Sequence, residues 1–143
     1  MPPSAKPPQR AKSPVPHKVR IIGGRFKRTP IAVIDSAGLR PTPDRVRETL
    51  FNWLNHLWDG EFENKQVLDA FAGSGALGLE AASRGVASLT MVEQDRRAMS
   101  ALRTMCEKLG LDDVRLLSAD AMGAMTRLPP GSYDLVFLHP PFG

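Results

Sequence analysis

The chain changes rhythm near Lys65. From there on, short apolar runs alternate with stretches whose apolar residues recur at helical spacing. Val67 to Phe71 predicts a buried strand, and Leu77 to Arg84 a helix closed by Gly85. Leu89 to Glu93 predicts the next strand, followed by a helix from Arg96 to Leu109 closed by Gly110. Val114 to Leu117 and Ala121 to Leu128 continue as strand and short helix. After a turn at Pro129-Pro130-Gly131, Leu135 to Leu138 is a fourth strand. Strands separated by helices of this length predict an α/β, Rossmann-like parallel sheet with helices on both faces.

The upstream half reads differently. Val19 to Ile22 predicts a short strand, Gly23-Gly24 a turn, and Phe26 to Ile34 a returning strand that Pro30 confines to an edge. A helix follows, with Thr42 as N-cap, Pro43 in its first position and Asp44 facing the dipole. It runs to about Trp58, with Val46, Leu50, Trp53, Leu54 and Leu57 as the predicted apolar stripe. Residues 1–18 hold six prolines, four basic residues and no acid, too little apolar surface to offset ordering entropy. The expected organisation is a disordered basic tail (1–18), a hairpin and helix (19–60), and one α/β domain (61–143).

Length and charge narrow the choice. A chain of 143 residues leaves little room for a second core. No apolar run approaches the ~20 residues that span a bilayer, and the N-terminus lacks the apolar core of a secretory signal. The single cysteine, Cys106, permits neither an internal disulfide nor a cysteine-rich metal site, which fits a cytoplasmic protein. The net charge of +4 conceals an asymmetry. Residues 1–47 carry +9 and residues 48–143 carry −5. A basic arm on an acidic body points to a polyanionic partner such as RNA.

Gly73-x-Gly75-x-x-Gly78 lies between a strand and a helix, and Glu93 stands twenty residues after Gly73 at the end of the next strand. This spacing suits a nicotinamide dinucleotide as well as other adenosine cofactors. Asp69, four residues before Gly73, favours a cationic ligand. A pyrophosphate gains nothing from a neighbouring carboxylate, whereas the sulfonium and ammonium of S-adenosylmethionine do. A nicotinamide oxidoreductase remains the alternative from the residues alone. Asp120, after the third strand, can accept the adenine amine and cap the following helix. The fourth strand ends in His139-Pro140-Pro141-Phe142. Such a turn leaves carbonyls free for a ligand and offers a ring to stack on a flat base.

Asp69 to Ala81, Glu93, the Asp120 site and the Pro140-Pro141-Phe142 turn resemble class I amino-methyltransferases. More narrowly, Arg20-Ile-Ile-Gly-Gly-Arg25, Gly38-Leu-Arg-Pro-Thr42 and Asp44-Arg-Val-Arg-Glu-Thr-Leu-Phe-Asn-Trp53 resemble the RsmD family. The resemblance runs from about Val19 to Phe142. It implies methyl transfer from S-adenosylmethionine to N2 of a guanine in 16S ribosomal RNA, free or in the small-subunit particle. It also implies direct transfer without a metal, by a protein that is a monomer when complete. Asp69, Phe71, Gly73, Ser74, Gly75, Gly78, Glu93, Asp120 and Ala121 would then hold the donor. His139, Pro140, Pro141 and Phe142 would hold the target base, and Arg20, Arg25, Lys27, Arg28, Arg40, Arg45 and Arg47 would meet the RNA.

Two departures stand out. The family has Asp or Asn where this chain has His139, and a neutral imidazole offers only one acceptor to the target amine. The family's sheet has seven strands where this chain supplies four, so the fourth would be an open edge. Both lead to a second expectation, a remnant that binds S-adenosylmethionine or RNA but transfers poorly. The two-proline turn also leaves open amino-methylation of another nucleic acid.

Overall fold

The computed structural model describes residues 19–33 and 42–138. A two-residue ladder pairs β1 (Val19–Arg20) with β2 (Pro30–Ile31) in antiparallel fashion. Then come α1 (Asp44–Leu57), β3 (Gln66–Asp69), α2 (Ala76–Ser83), β4 (Ser88–Glu93), α3 (Arg96–Leu109), β5 (Arg115–Ser118), α4 (Ala121–Thr126) and β6 (Leu135–Phe137). The four later strands form one parallel sheet in the order β5-β4-β3-β6. The α/β expectation holds, with element ends moved by a residue or two.

Alternation along the strands divides the core between the two faces of the sheet. Val67, Leu89 and Met91 join the larger cluster, with Phe51, Leu54, Leu79 and Leu102 from the three longer helices. Leu68 and Val92 point the other way and meet Ala124 of α4. Phe51 is fully buried and packs its ring 6.5 Å from Phe62 and 6.0 Å from Phe137, tying α1 to β6.

The N-terminal segment departs from expectation in three respects. The returning strand is two residues long, because Gly24 and Arg28 take positive φ and residues 25–28 form a turn closed by Lys27 N–H on Gly24 and Thr29 N–H on Phe26. Pro43, not Thr42, occupies the cap position of α1, which starts at Asp44 with no side-chain cap bond. Thr42 lies one residue further out, and its carbonyl accepts a bond from Arg47 Nε at 3.4 Å.

The third difference is rotational. α1 buries Arg47, Phe51 and Leu54, while Val46, Trp53 and Leu57 are 52%, 72% and 72% exposed. Residues 46, 50, 53 and 57 form one helical stripe and 47, 51, 54 and 58 the next. The first is wholly apolar, so hydropathy selects it; of the predicted positions only Leu54 is buried and Leu50 partly so. The second carries an arginine whose charge is neutralised inside the fold, and that stripe faces the core.

Candidate functional site

The chain proceeds from β3 outward to β4 and β5, then returns to β6 on the opposite side of β3. Open parallel sheets bind ligands where that reversal occurs, outside the carboxyl ends of the strands. Asp69 ends β3 at this point, in register with Met91 of β4 and Phe137 of β6.

The glycine loop folds over the strand ends. Gly73 and Gly75 take φ of 56° and 87°, a region that costs other residues about 1–2 kcal/mol. Gly75 N–H bonds the Ala72 carbonyl at 2.7 Å, and the Gly75 carbonyl accepts the first bond of α2 from Leu79 N–H at 2.7 Å. Gly78 is needed for a different reason. A Cβ there would lie 2.6 Å from Met91 Sδ and 3.1 Å from Asp69 Oδ2. Its absence lets α2 settle against the sheet, with Gly78 N–H donating to Asp69 Oδ2 at 3.0 Å.

Asp69 is 1% exposed, and its second oxygen, Oδ1, is buried with no hydrogen-bond partner. Burial pushes this carboxyl from its ordinary 3.8 up to about 7. The Gly78 and Phe71 amides pull it down, and the neighbouring Glu93 charge adds a smaller upward push. A buried acceptor left open at a switch point is a place for a cation.

Glu93 ends β4 and closes the loop onto it. Its Oε1 accepts Gly73 N–H at 2.7 Å and its Oε2 accepts Asp95 N–H at 2.8 Å. Each carboxylate oxygen keeps a further lone pair for a ligand hydroxyl. Asp120 lies two residues beyond Ser118, which pairs with Glu93. Its side chain caps α4 through Met122 N–H at 3.2 Å and Gly123 N–H at 3.1 Å and remains exposed, so capping leaves acceptor capacity. Ala121 is buried beside it, and Phe71 and Ser74 are half-buried in the loop.

Asp69, Phe71, Gly73, Ser74, Gly75, Gly78, Glu93, Asp120 and Ala121 thus lie at the carboxyl ends of β3, β4 and β5 or in the loop and helix starts that follow them. His139, Pro140, Pro141 and Phe142 lie outside the described residues, as does Arg40. Arg20, Arg25, Lys27, Arg28 and Arg45 are exposed.

Arg47 is a correction. Expected at the RNA entrance, it is wholly buried. Its guanidinium donates to Glu80 Oε1 at 2.8 Å, to the Arg20 carbonyl at 2.9 Å and to Asp44. With four of its five N–H groups engaged and no exposed surface, this guanidinium is out of reach of a phosphate.

Its partner Glu80 was missed by sequence reasoning, although a signal existed. Ala76 to Ser83 is apolar on nearly every side apart from this acid, and such a helix is buried all round. A charge within it needs a partner.

An open parallel sheet with a glycine loop at its reversal point and acids on successive strand ends defines a class I methyltransferase-type domain. The C-terminal domain of precorrin-6Y C5,15-methyltransferase from Rhodobacter capsulatus shares this fold at a TM-score of 0.61 and 18% identity, over 76% of this chain and 53% of that one. This chain belongs to the RsmD family: residues 19–143 match the family model described as Conserved hypothetical protein 95. It is 44% identical over 125 residues to Ribosomal RNA small subunit methyltransferase D of Escherichia coli K12. That match covers 87% of this chain and 61% of the relative's length. A solved structure of yhhF from Escherichia coli, described there as a provisionally assigned methyltransferase, superposes at a TM-score of 0.73 with 40% identity, over 87% of this chain and 64% of that one.

Proposed function

We propose that this chain is the donor-binding and RNA-engaging part of a methyltransferase that methylates the N2 amine of a guanine in 16S ribosomal RNA. The observation that carries the reading is Asp69, a buried carboxylate with an open oxygen beside a glycine loop. The family relationship supports the substrate class, since the Escherichia coli relative is named for the small-subunit ribosomal RNA.

When bound, S-adenosylmethionine would supply a sulfonium methyl to the amine nitrogen, the C–S electron pair staying on sulfur as the thioether leaves and one amine proton passing to solvent. Asp69 holds the donor's positive end, Glu93 accepts its ribose hydroxyls and Asp120 its adenine amine. Pro140 and Phe142 seat the base, and His139 takes the place of the family's Asp or Asn beside the amine. The exposed Arg20, Arg25, Lys27, Arg28 and Arg45 hold phosphates without reading sequence. The setting is the cytoplasm, with the complete protein a monomer acting on free RNA or the small-subunit particle.

His139 favours a second reading, in which donor and RNA bind but transfer is impaired. Calorimetric titration with S-adenosylmethionine and with NAD tests the first step: binding of the methyl donor and not NAD is expected, and the reverse removes the proposal. A labelled-methyl assay on small-subunit RNA, with the parent and His139→Asp, then separates the readings. Transfer by the parent supports catalysis, whereas transfer by the variant alone supports the impaired form.

A further inference from the structure

Glu80 takes no part in the donor crevice, yet it is a fully buried carboxylate. Its Oε1 accepts the Ile22 amide at 2.9 Å beside the Arg47 guanidinium, and its Oε2 accepts the Gly23 amide at 3.0 Å and Arg84 Nε at 2.9 Å. Ser83, three residues further along α2, extends the same seat. Its hydroxyl donates to the Gly23 carbonyl at 2.6 Å and accepts the Phe26 amide at 2.9 Å. Its carbonyl accepts the Arg25 amide at 2.8 Å. The approach leaves no room for side chains: a Cβ on Gly24 would lie 2.1 Å from the Ser83 carbonyl oxygen, and one on Gly23 2.9 Å from Arg84 Nη2. Gly23-Gly24 is therefore a docking surface for α2 as well as a bend.

The β1–β2 ladder is two residue pairs long, and an isolated pair of that size does not hold its own shape. Val19, Ile21 and Ile31 anchor it in the core and Arg47 of α1 holds the Arg20 carbonyl. Residues 22–26, however, are seated by α2, whose first residue, Ala76, directly follows the glycine loop. A buried ion pair adds little net stability over an apolar contact, but its geometry is directional. We infer that Glu80 is a positioning residue for the RNA substrate. It fixes the exposed Arg25, Lys27 and Arg28 relative to the donor crevice through α2, while touching neither ligand. The inference rests on the hairpin being an RNA contact, as read above.

The test uses the full chain, a fluorescein-labelled small-subunit RNA fragment read by anisotropy from 50 to 200 mM salt, and calorimetry with S-adenosylmethionine. Lys27→Ala/Arg28→Ala comes first. Loss of both charges is expected to flatten the slope of log K against log salt by about 2. An unchanged slope overturns the hairpin reading itself, and the role of Glu80 with it. Glu80→Gln and Ser83→Ala follow, each checked for a cooperative melt above the assay temperature. Ser83→Ala removes bonds to the hairpin without touching a buried charge, so it decides the matter if Glu80→Gln does not fold. The expected result is RNA binding about tenfold weaker and a slope flatter by about 1 or more, because seated phosphate contacts are lost. Donor affinity should stay within about twofold, since the crevice is intact. Parental RNA affinity and slope in a folded variant overturn the inference. So does a parallel fall in donor and RNA affinity, which makes Glu80 a general scaffold residue.

Discussion

Replacing Asp69 by Asn keeps the shape of the side chain, including an oxygen for the Gly78 amide, and removes its titration. In the fold without ligand, burial raises this carboxyl from 3.8 to about 7, so its protonated form is the one the interior tolerates. A raised acid contributes stability that is fully present below about pH 3.8 and lost as pH rises to about 7. At ~1.36 kcal/mol per pH unit, the difference reaches about 4 kcal/mol at the alkaline end. The side chain is 1% exposed, so solvent screens little of this. Asp69→Asn should therefore be more stable than the parent at pH 8 by up to about 4 kcal/mol, or on the order of 10 °C in Tm. The advantage should shrink to about 1.5 kcal/mol at pH 5 and vanish only below about pH 3.8. Donor binding should move the opposite way, because the variant cannot offer an anion to a cation. The parent's affinity should rise with pH through about 7 and its binding should release a proton near pH 6.5, while the variant binds weakly at every pH. Thermal melts from pH 5 to 8 and calorimetry in buffers of differing ionisation enthalpy measure both. Parallel stability profiles for parent and variant would refute the reasoning.

Three further outcomes follow from the geometry. Arg47→Met leaves Glu80 buried with one partner fewer and should lose about 3–5 kcal/mol in urea unfolding, whereas Arg45→Ala should leave stability within ~0.5 kcal/mol. Gly78→Ala forces a methyl against Met91 and Asp69 and should cost about 1–3 kcal/mol while weakening donor affinity in calorimetry. Trp53→Ser should change stability by less than ~0.5 kcal/mol, although a reading of the helix from hydropathy alone places Trp53 in the core.

That last contrast marks where the sequence is legible. Period and turn chemistry suffice for the alternating half, because its central strands β3 and β4 are buried and α2 and α3 are closed by Gly85 and Gly110. Gly110 at the end of α3 and Asp95 at its start do as their residue types require. The geometry of the candidate crevice is legible for the same reason: Asp69, Gly73, Glu93 and Asp120 lie at fixed offsets from strand ends. α1 was misread because its inward face is paid for electrostatically. Asp44 is a local partner for Arg47, but nothing local reveals the buried one, Glu80, which stands thirty-three residues away on another helix. The turn at residues 25–28 was equally opaque, since a non-glycine residue, Arg28, takes positive φ there. Its amide donates to the Ile21 carbonyl at 2.7 Å, a tertiary reason that propensity does not register.

Because residues 22–26 rest on acceptors and donors supplied by α2, the hairpin is not a portable module. Residues 19–33 grafted onto another domain of this fold would bring two ladder pairs and leave their seat behind. The smallest unit that can be exchanged runs through Ser83 and Arg84, and the glycine loop travels with it. Swapping recognition elements among enzymes of this fold is ordinarily a matter of loops. In this chain, the hairpin and the glycine loop can be exchanged only as one piece.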